Sequence, residues 1–125
     1  MSSPNPVLRI LLVEDDDEIR SILAEHLEYE GFQVAQASNG QEGLEKARAS
    51  RPNLIVSDVG MPILDGFEML KALRADDRLR TVPVIVHSVM VEKGYKEKAL
   101  SLGATAFLNK PCPFNEILDM IRSSL

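Results

Sequence analysis

The sequence has very little cysteine, and this limits the chemistry that it can support. Cys112 is the single cysteine among 125 residues, so the chain cannot form an internal disulfide bond. Cysteine and histidine also do not cluster at the spacing of a zinc site. Because Cys112 has no obvious histidine partner, we interpret it as a packed thiol and not as a nucleophile.

Basic residues are outnumbered, and long apolar runs are missing. The 14 Lys and Arg against 19 Asp and Glu give a net charge of -5, which argues against nucleic acid as a partner because phosphate binding needs a basic face. The longest apolar runs, "ILLV" and "VPVIV", are too short to span a membrane. The start "MSSPNPV" lacks the basic and apolar regions of a secretory signal. These absences predict a soluble, cytoplasmic protein.

Apolar segments of strand length alternate with segments of helical periodicity along the chain. "VLRILLV", residues 7–13, is β-branched and apolar on both faces, which is typical of a strand covered by helices on each side. Further strands are predicted over residues 32–37, 54–58, 82–88 and 105–109. Five helices alternate with them, including one over residues 17–30 and one over residues 92–102. This pattern predicts an α/β fold with a doubly wound five-stranded parallel sheet and five helices.

The chain is predicted to form one domain. Its 125 residues suit a single core, and no repeat, linker or low-complexity tract divides them. We therefore expect one domain over residues 1–125, with residues 1–7 as a disordered tail. Asn39 and Asp65 each precede a glutamate by three residues, which is the spacing of a helix capping box. Asp16 and Asp17 are expected to cap the first helix.

Polar residues stand where four of the predicted strands end. The first strand leads into "EDDD", residues 14–17, and the third leads into Asp58. The fourth ends at Ser88, and the fifth is followed by Lys110. Sites in open parallel sheets form at the carboxyl ends of the strands, near the switch in strand order. We therefore expect these side chains to converge.

Such a cluster has a definite chemistry. Crowded carboxylates raise one another's proton affinity, and a hard divalent cation such as Mg2+ relieves that repulsion. Lys110 and the Ser88 hydroxyl beside the cation would form a pocket for an oxyanion, with phosphoryl as the natural candidate. Asp58 could then act as a nucleophile toward phosphorus. The strand is predicted to present Asp58 so that it can be phosphorylated.

Four segments together resemble the response-regulator receiver domain of two-component signalling. They are "ILLVEDDDEIR", "DVGMPILDG", "VPVIVHS" and "GATAFLNKP", in the order and at the spacings of that family. The resemblance covers residues 8–121. It implies a CheY-like, flavodoxin-like fold with the strand order 2-1-3-4-5.

The resemblance also implies an acceptor and a metal site. Asp58 would accept a phosphoryl group from a histidine kinase or a phosphotransfer protein. Mg2+ would be held by Glu14, Asp15, Asp58 and the carbonyl oxygen of Gly60. The run of four acids by itself leaves open which pair binds the ion, and the family register selects Glu14 and Asp15.

Three further residues receive roles from the resemblance. The Ser88 hydroxyl and the Lys110 ammonium would contact the phosphoryl group, and the bond between Lys110 and Pro111 would be cis. Ser88 and Phe107 would act as switch residues that alter the face formed by the fourth helix, fifth strand and fifth helix, where a protein partner binds. Taken singly, Ser88 could be a strand-end hydroxyl, Lys110 a surface charge and Phe107 a core residue. His26 and His87 are interpreted as packing or surface residues.

Two residues depart from the family pattern, and alternatives remain beside the leading hypothesis. Val89 replaces the usual small residue after Ser88 and would narrow the entrance to the phosphoryl pocket. Gly60 has no side chain and so would not shield the phosphoryl group from water.

An aspartyl-phosphate phosphatase would need a second acid where Gly60 stands, and a flavodoxin-like cofactor binder would need a phosphate cradle in place of "EDDD". An unphosphorylated docking module is the remaining alternative. The leading expectation is a phosphorylation-driven switch rather than an enzyme. It would be a monomer or weak dimer, free-standing or part of a larger protein, with no output domain after the fifth helix.

Overall fold

The computed structural model describes residues 7–89 and 94–125, which form ten alternating strands and helices. The strands are β1 (Arg9–Val13), β2 (Gln33–Ala37), β3 (Leu54–Ser57), β4 (Val84–Ser88) and β5 (Ala106–Asn109). The helices are α1 (Asp17–Tyr29), α2 (Gly40–Ser50), α3 (Gly66–Ala75), α4 (Tyr95–Ser101) and α5 (Phe114–Ser124). Residues 1–6 of the predicted tail (residues 1–7) and residues 92–93 of the predicted fourth helix lie outside the described residues.

The five strands form one parallel sheet in the order β2-β1-β3-β4-β5. The predicted fold class and strand order are therefore confirmed. The central strands β1, β3 and β4 are almost entirely buried, which explains why they have no alternation of polar and apolar residues. The strands begin up to two residues later than predicted, because the residues before them belong to the connecting loops.

Two apolar clusters pack on opposite faces of the sheet, because successive strand residues point to opposite sides. Leu11 and Val13 of β1 join the cluster that includes side chains of α2, α3 and α4. Ile10 and Leu12 join the cluster that includes side chains of α1 and α5. Helices thus cover both faces of the sheet.

The helix starts follow the predicted caps. Asp16 accepts a hydrogen bond from the Ile19 amide at 3.0 Å, and Asp65 accepts one from the Glu68 amide at 2.8 Å. Asn39 does the same for Glu42 at 2.8 Å. The carboxylate of Glu42 reaches back to the Ser38 hydroxyl at 3.0 Å, one residue beyond the cap. The bonds from the Ile19, Glu42 and Glu68 amides satisfy donors that a helix leaves unpaired at its start.

The apolar stripe of α1 is narrower in the structure than in the sequence. Leu23 and Leu27 are buried against the sheet. Ile19 and Ile22 lie at helical spacing with them, yet they are 41% and 48% exposed. They line a groove of about 260 Å³ between α1 and α5. The helical period therefore predicted the face of these residues but not their burial.

Candidate functional site

Backbone hydrogen bonds hold the polar residues at the carboxyl edge of the sheet. The Glu14 amide donates to the Ala37 carbonyl at 3.0 Å, and the Asp58 amide donates to the Val13 carbonyl at 3.0 Å. On the other side of the site, the Lys110 amide donates to the Ser88 carbonyl at 2.8 Å. The parallel ladder thus continues one residue past β1, β3 and β5. Each of these residues is fixed by a strand rather than left on a free loop.

Three carboxylates meet at this edge. Glu14, Asp15 and Asp58 each place one oxygen so that all three atoms lie within 4.8 Å of one another. Glu14 is buried, Asp58 is partly buried, and Asp15 is exposed to solvent. Among the described residues, this is the one group of three or more acids, histidines or cysteines close enough to share a metal ion.

Lys110 joins two of these carboxylates. Its Nζ atom donates to Oδ2 of Asp58 at 2.9 Å and to Oε1 of Glu14. The Lys110 side chain is only 10% exposed, so both ion pairs are largely shielded from water. The peptide bond that follows, between Lys110 and Pro111, is cis. Lysine, the buried glutamate and the central aspartate therefore form one connected group.

The site has perturbed protonation equilibria. Burial raises the pKa of Glu14 to about 7, and the nearby Asp58 charge adds to the rise, while the hydrogen bond from Lys110 opposes it. Burial lowers the pKa of Lys110, but its bonds to Glu14 and Asp58 outweigh that effect, and the net pKa is raised. Lys110 is thus held as a cation near neutral pH. Glu14 lies close to its titration point there.

The loop after β3 holds Asp58 from its other side. The Val59 amide donates to Oδ1 of Asp58 at 2.6 Å, and the Ser57 hydroxyl donates to the Asp58 carbonyl at 2.8 Å. Gly66 packs so closely that a Cβ atom there would lie 2.2 Å from the Asp58 carbonyl oxygen. A side chain at position 66 would therefore displace the backbone of the predicted acceptor.

The other predicted site residues differ in position and exposure: Ser88 and Gly60 lie at or after the carboxyl ends of β4 and β3, and Phe107 lies within β5. Ser88 is fully buried at the end of β4, paired in register with Asn109. Gly60 is exposed in the loop after β3 and lines a cavity of about 440 Å³ with Phe67 and residues of α4. Phe107 is half-buried in β5 and packs against the apolar cluster on the α3 and α4 side of the sheet.

Two residues near the site were not assigned to it from the sequence. Arg20 of α1 donates from Nη1 to the Glu14 carbonyl at 2.6 Å. His87 is 8% exposed in β4, and burial, together with the Lys110 charge, lowers its pKa to about 4. Within the described ranges, its Nε2 is the one buried side-chain nitrogen or oxygen that has no hydrogen-bond partner. The spacing of Asp17 and Arg20 could have indicated an ion pair, but no sequence signal predicts the carbonyl contact.

The donor set fits a hard divalent cation. All three clustered ligands are carboxylates, which Mg2+ prefers over nitrogen or sulfur, and Asp15 is open to solvent, which suits an ion that retains water. Burial is the main cause of the raised pKa of Glu14, and the Asp58 charge, whose contribution a bound cation would relieve, adds to it. The residues present are therefore compatible with Mg2+.

Comparison with known proteins identifies the family. The family model of the response regulator receiver domain matches residues 10–122, which is most of the chain. The chain is 33% identical over 116 residues to the polar-differentiation response regulator DivK of Brucella anthropi, covering 93% of this chain and 94% of that protein. It is 38% identical to the transcriptional regulatory protein PrrA of Mycobacterium tuberculosis, covering 94% of this chain and 49% of the relative. The chain belongs to the response regulator receiver domain family of two-component systems.

Solved structures agree with this assignment. The chemotaxis response regulator CheY4 of Vibrio cholerae superposes with a TM-score of 0.89 at 31% identity, covering 96% of this chain and all of that one. The receiver domain of a sensor histidine kinase from Pseudomonas aeruginosa superposes with a TM-score of 0.87 at 27% identity, covering 94% of this chain and 97% of that one. That receiver was solved with a magnesium ion coordinated in its active-site cleft.

The length of the chain can be compared with the lengths of its relatives. It spans nearly all of DivK but about half of PrrA and of several other curated relatives. Receiver domains are signalling modules that work with histidine kinases and downstream effectors. No helix within residues 7–89 and 94–125 has the length and apolar character needed to cross a membrane.

Proposed function

We propose that this domain is a phosphorylation-driven switch in which Asp58 accepts a phosphoryl group from the phosphohistidine of a kinase or phosphotransfer protein. The supporting observation is the position of Lys110, whose Nζ atom bonds to both Asp58 and Glu14. A cation at this point can neutralise charge on the acceptor and on an incoming phosphoryl oxygen. The whole of residues 1–125 would act as one domain.

The metal part of the site is proposed to consist of Glu14, Asp15, Asp58 and the carbonyl oxygen of Gly60. Mg2+ bound there would supply electrostatic stabilisation of the transferring phosphoryl group. The grouping of the three carboxylate oxygens within 4.8 Å supports this ligand set. The magnesium ion in the active-site cleft of the Pseudomonas aeruginosa receiver supports the choice of Mg2+.

The transfer itself exchanges one bond for another. The nitrogen–phosphorus bond of the donor breaks as a carboxylate oxygen of Asp58 bonds to phosphorus, and the imidazole retains the electron pair and takes up a proton. The Val59 amide, 2.6 Å from Oδ1 of Asp58, orients the nucleophile. Lys110 balances the charge that spreads over the phosphoryl oxygens in the transition state.

The output is proposed to depend on Ser88 and Phe107. A hydrogen bond from the Ser88 hydroxyl to the phosphoryl oxygen would draw the end of β4 toward Asp58. The half-buried Phe107 of β5, which lies opposite Val86 of β4, would then turn inward. Such a turn would change the surface formed by α4, β5 and α5, where a downstream protein would bind.

Intact-mass measurement tests the proposal directly. The protein is incubated with Mg2+ and acetyl phosphate, and in parallel with candidate kinases, and one added phosphoryl group is expected. Asp58→Asn and a chelator should each abolish the gain. An equal gain in Asp58→Asn would exclude Asp58 as the acceptor.

If no donor phosphorylates the folded protein, either Val89 blocks the pocket or the site never accepts a phosphoryl group. Val89→Ala distinguishes these two explanations. Val89 follows Ser88 and is exposed. Phosphorylation of Val89→Ala alone would identify Val89 as a gate that excludes those donors. Failure of both proteins would favour the alternative function, a receiver-like docking module that is never phosphorylated.

A further inference from the structure

Every nitrogen of the Arg20 guanidinium group donates a hydrogen bond, and one of these bonds reaches the loop between β1 and α1. Nη1 donates to the Glu14 carbonyl at 2.6 Å, and Nη2 donates to Oδ1 of Asp17 at 2.6 Å. Nε donates to Oε1 of Gln36, on the neighbouring strand β2, at 3.3 Å. The Arg20 side chain is 15% exposed, so these bonds are partly protected from water.

The carbonyl that Arg20 holds belongs to the peptide joining two of the clustered acids. The Glu14 amide is fixed by the Ala37 carbonyl, and the Glu14 carbonyl is fixed by Arg20. Because a peptide unit is planar, holding that carbonyl also sets the direction in which the chain enters Asp15. The relative placement of the Glu14 and Asp15 carboxylates therefore depends on a side chain that is not in the cluster.

We infer that Arg20 is a positioning residue for the Mg2+ site: its hold on the Glu14 carbonyl keeps the two acids ordered for metal binding. This inference rests on the function proposed above. Arg20 also carries a positive charge, which by itself would oppose a cation. That charge is already paired with Asp17 at 2.6 Å, which weakens its repulsion of a cation, so we expect the loss of loop order to outweigh it when Arg20 is removed.

The test compares Mg2+ affinity among matched variants. Mg2+ is titrated into the wild type, Arg20→Ala, Arg20→Lys and Arg122→Ala, and amide shifts of Asp15, Asp58 and Gly60 are followed by NMR. Removal of a group that orients a metal ligand typically weakens binding by about tenfold or more, which is the result expected for Arg20→Ala. Arg20→Lys should lie between it and the wild type, because lysine can replace only part of the three-way hold.

Arg122→Ala is the matched control, because Arg122, like Arg20, forms an ion pair with an acidic residue at one end of α1. Arg122 pairs with Glu30 at 3.1 Å, at the end of α1 away from the acids, so its loss should leave Mg2+ affinity unchanged. A second readout uses acetyl phosphate. In Arg20→Ala the Mg2+ concentration for half-maximal phosphorylation should rise by about tenfold, while the rate at saturating Mg2+ stays near that of the wild type.

Two outcomes would overturn the inference, and they differ from failure of the proposed function. If Arg20→Ala melts at a lower temperature but binds Mg2+ as tightly as the wild type, Arg20 is merely structural. If Arg20→Ala does not fold, Arg20→Lys decides, and an unchanged affinity there rejects the positioning role. Absence of any Mg2+-induced shift in the wild type would instead reject the metal site itself.

Discussion

The Nζ atom of Lys110 lies 2.9 Å from Oδ2 of Asp58, although 52 residues separate the two along the chain. The same nitrogen donates to Glu14, which is a further 44 residues toward the N-terminus, since 96 residues separate Glu14 from Lys110. The Lys110 ammonium group thus connects the ends of β1, β3 and β5. The stability of the site depends on this cation, because each carboxylate is at least partly removed from water.

Replacing Lys110 should destabilise the folded state. Lys110→Ala leaves two carboxylates near each other without a counter-charge, and we expect the free energy of unfolding to fall by about 2 to 3 kcal/mol at pH 7 without Mg2+. The loss is limited because Glu14 can take up a proton. Urea denaturation measures the change. Lys96→Ala, at an exposed position of α4, is the control and should alter stability by less than about 0.5 kcal/mol.

Glu14 should make the metal-free protein less stable as the pH rises. Its folded pKa of about 7 exceeds the ordinary value of 4.5, so the folded state binds more protons between those values. The stability contributed by protonated Glu14 is full below pH 4.5 and is lost as the pH rises through 7.

Glu14→Gln removes this titration and retains an oxygen that accepts from Lys110. In chelator, we expect Glu14→Gln to exceed the wild type by about 2 kcal/mol in unfolding free energy at pH 8, with a difference below about 1 kcal/mol at pH 5. Urea denaturation at both pH values measures it. An equal difference at both would show that Glu14 does not titrate in this range.

His87 should have the opposite dependence on pH. Burial and the Lys110 charge lower its pKa from 6.5 to about 4, with the Asp58 charge acting in the other direction. The unfolded chain therefore binds more protons between these values. The stability that neutral His87 contributes is full above pH 6.5 and is lost as the pH falls through 4.

The variant His87→Leu tests this dependence. His87→Leu has similar volume and removes the Nε2 atom that lacks a partner. We expect the gain in unfolding free energy to be about 2 kcal/mol larger at pH 5 than at pH 8, with a gain of about 1 kcal/mol at pH 8 from the removed polar atom. Thermal melts of both proteins at the two pH values provide the comparison. A gain that does not depend on pH would show that the His87 ring titrates normally.

The fold was largely predictable from the sequence because each local signal agreed with the next. The caps at Asp16, Asn39 and Asp65 and the apolar strands required only local rules of hydrogen bonding and periodicity. The strand order could not be predicted from local signals. It came from the resemblance to the family, since alternation of strands and helices predicts a parallel sheet without ordering it.

The candidate site was predictable in composition but not in its contacts. Strand ends placed Glu14, Asp58 and Lys110 at one edge, yet which oxygen Lys110 reaches depends on side-chain packing. The hold of Arg20 on the Glu14 carbonyl depends on the path of the loop after β1, which no periodicity encodes. The exposure of Ile19 was equally hidden, because helical spacing indicates a face and does not say what covers it.

The loop after β3 contains a strained residue whose replacement should stabilise the domain. Ile63 adopts a left-handed conformation with φ of 70°, which is unfavourable for a β-branched side chain, and it is 81% exposed. Its side chain therefore has little burial to offset the strain. Asparagine tolerates this conformation, so Ile63→Asn should raise the unfolding free energy by about 1 kcal/mol.

Ile22→Asn is the matched control for Ile63→Asn. Ile22 is also an exposed isoleucine, at 48%, but it lies in α1 with ordinary helical geometry. Its replacement relieves no strain and inserts a weaker helix former, so a small loss of stability is expected. Urea denaturation of the three proteins under one condition separates backbone strain from removal of a surface apolar group. If both variants gain stability equally, the effect comes from the lost apolar surface, and the φ angle of Ile63 plays no part in it.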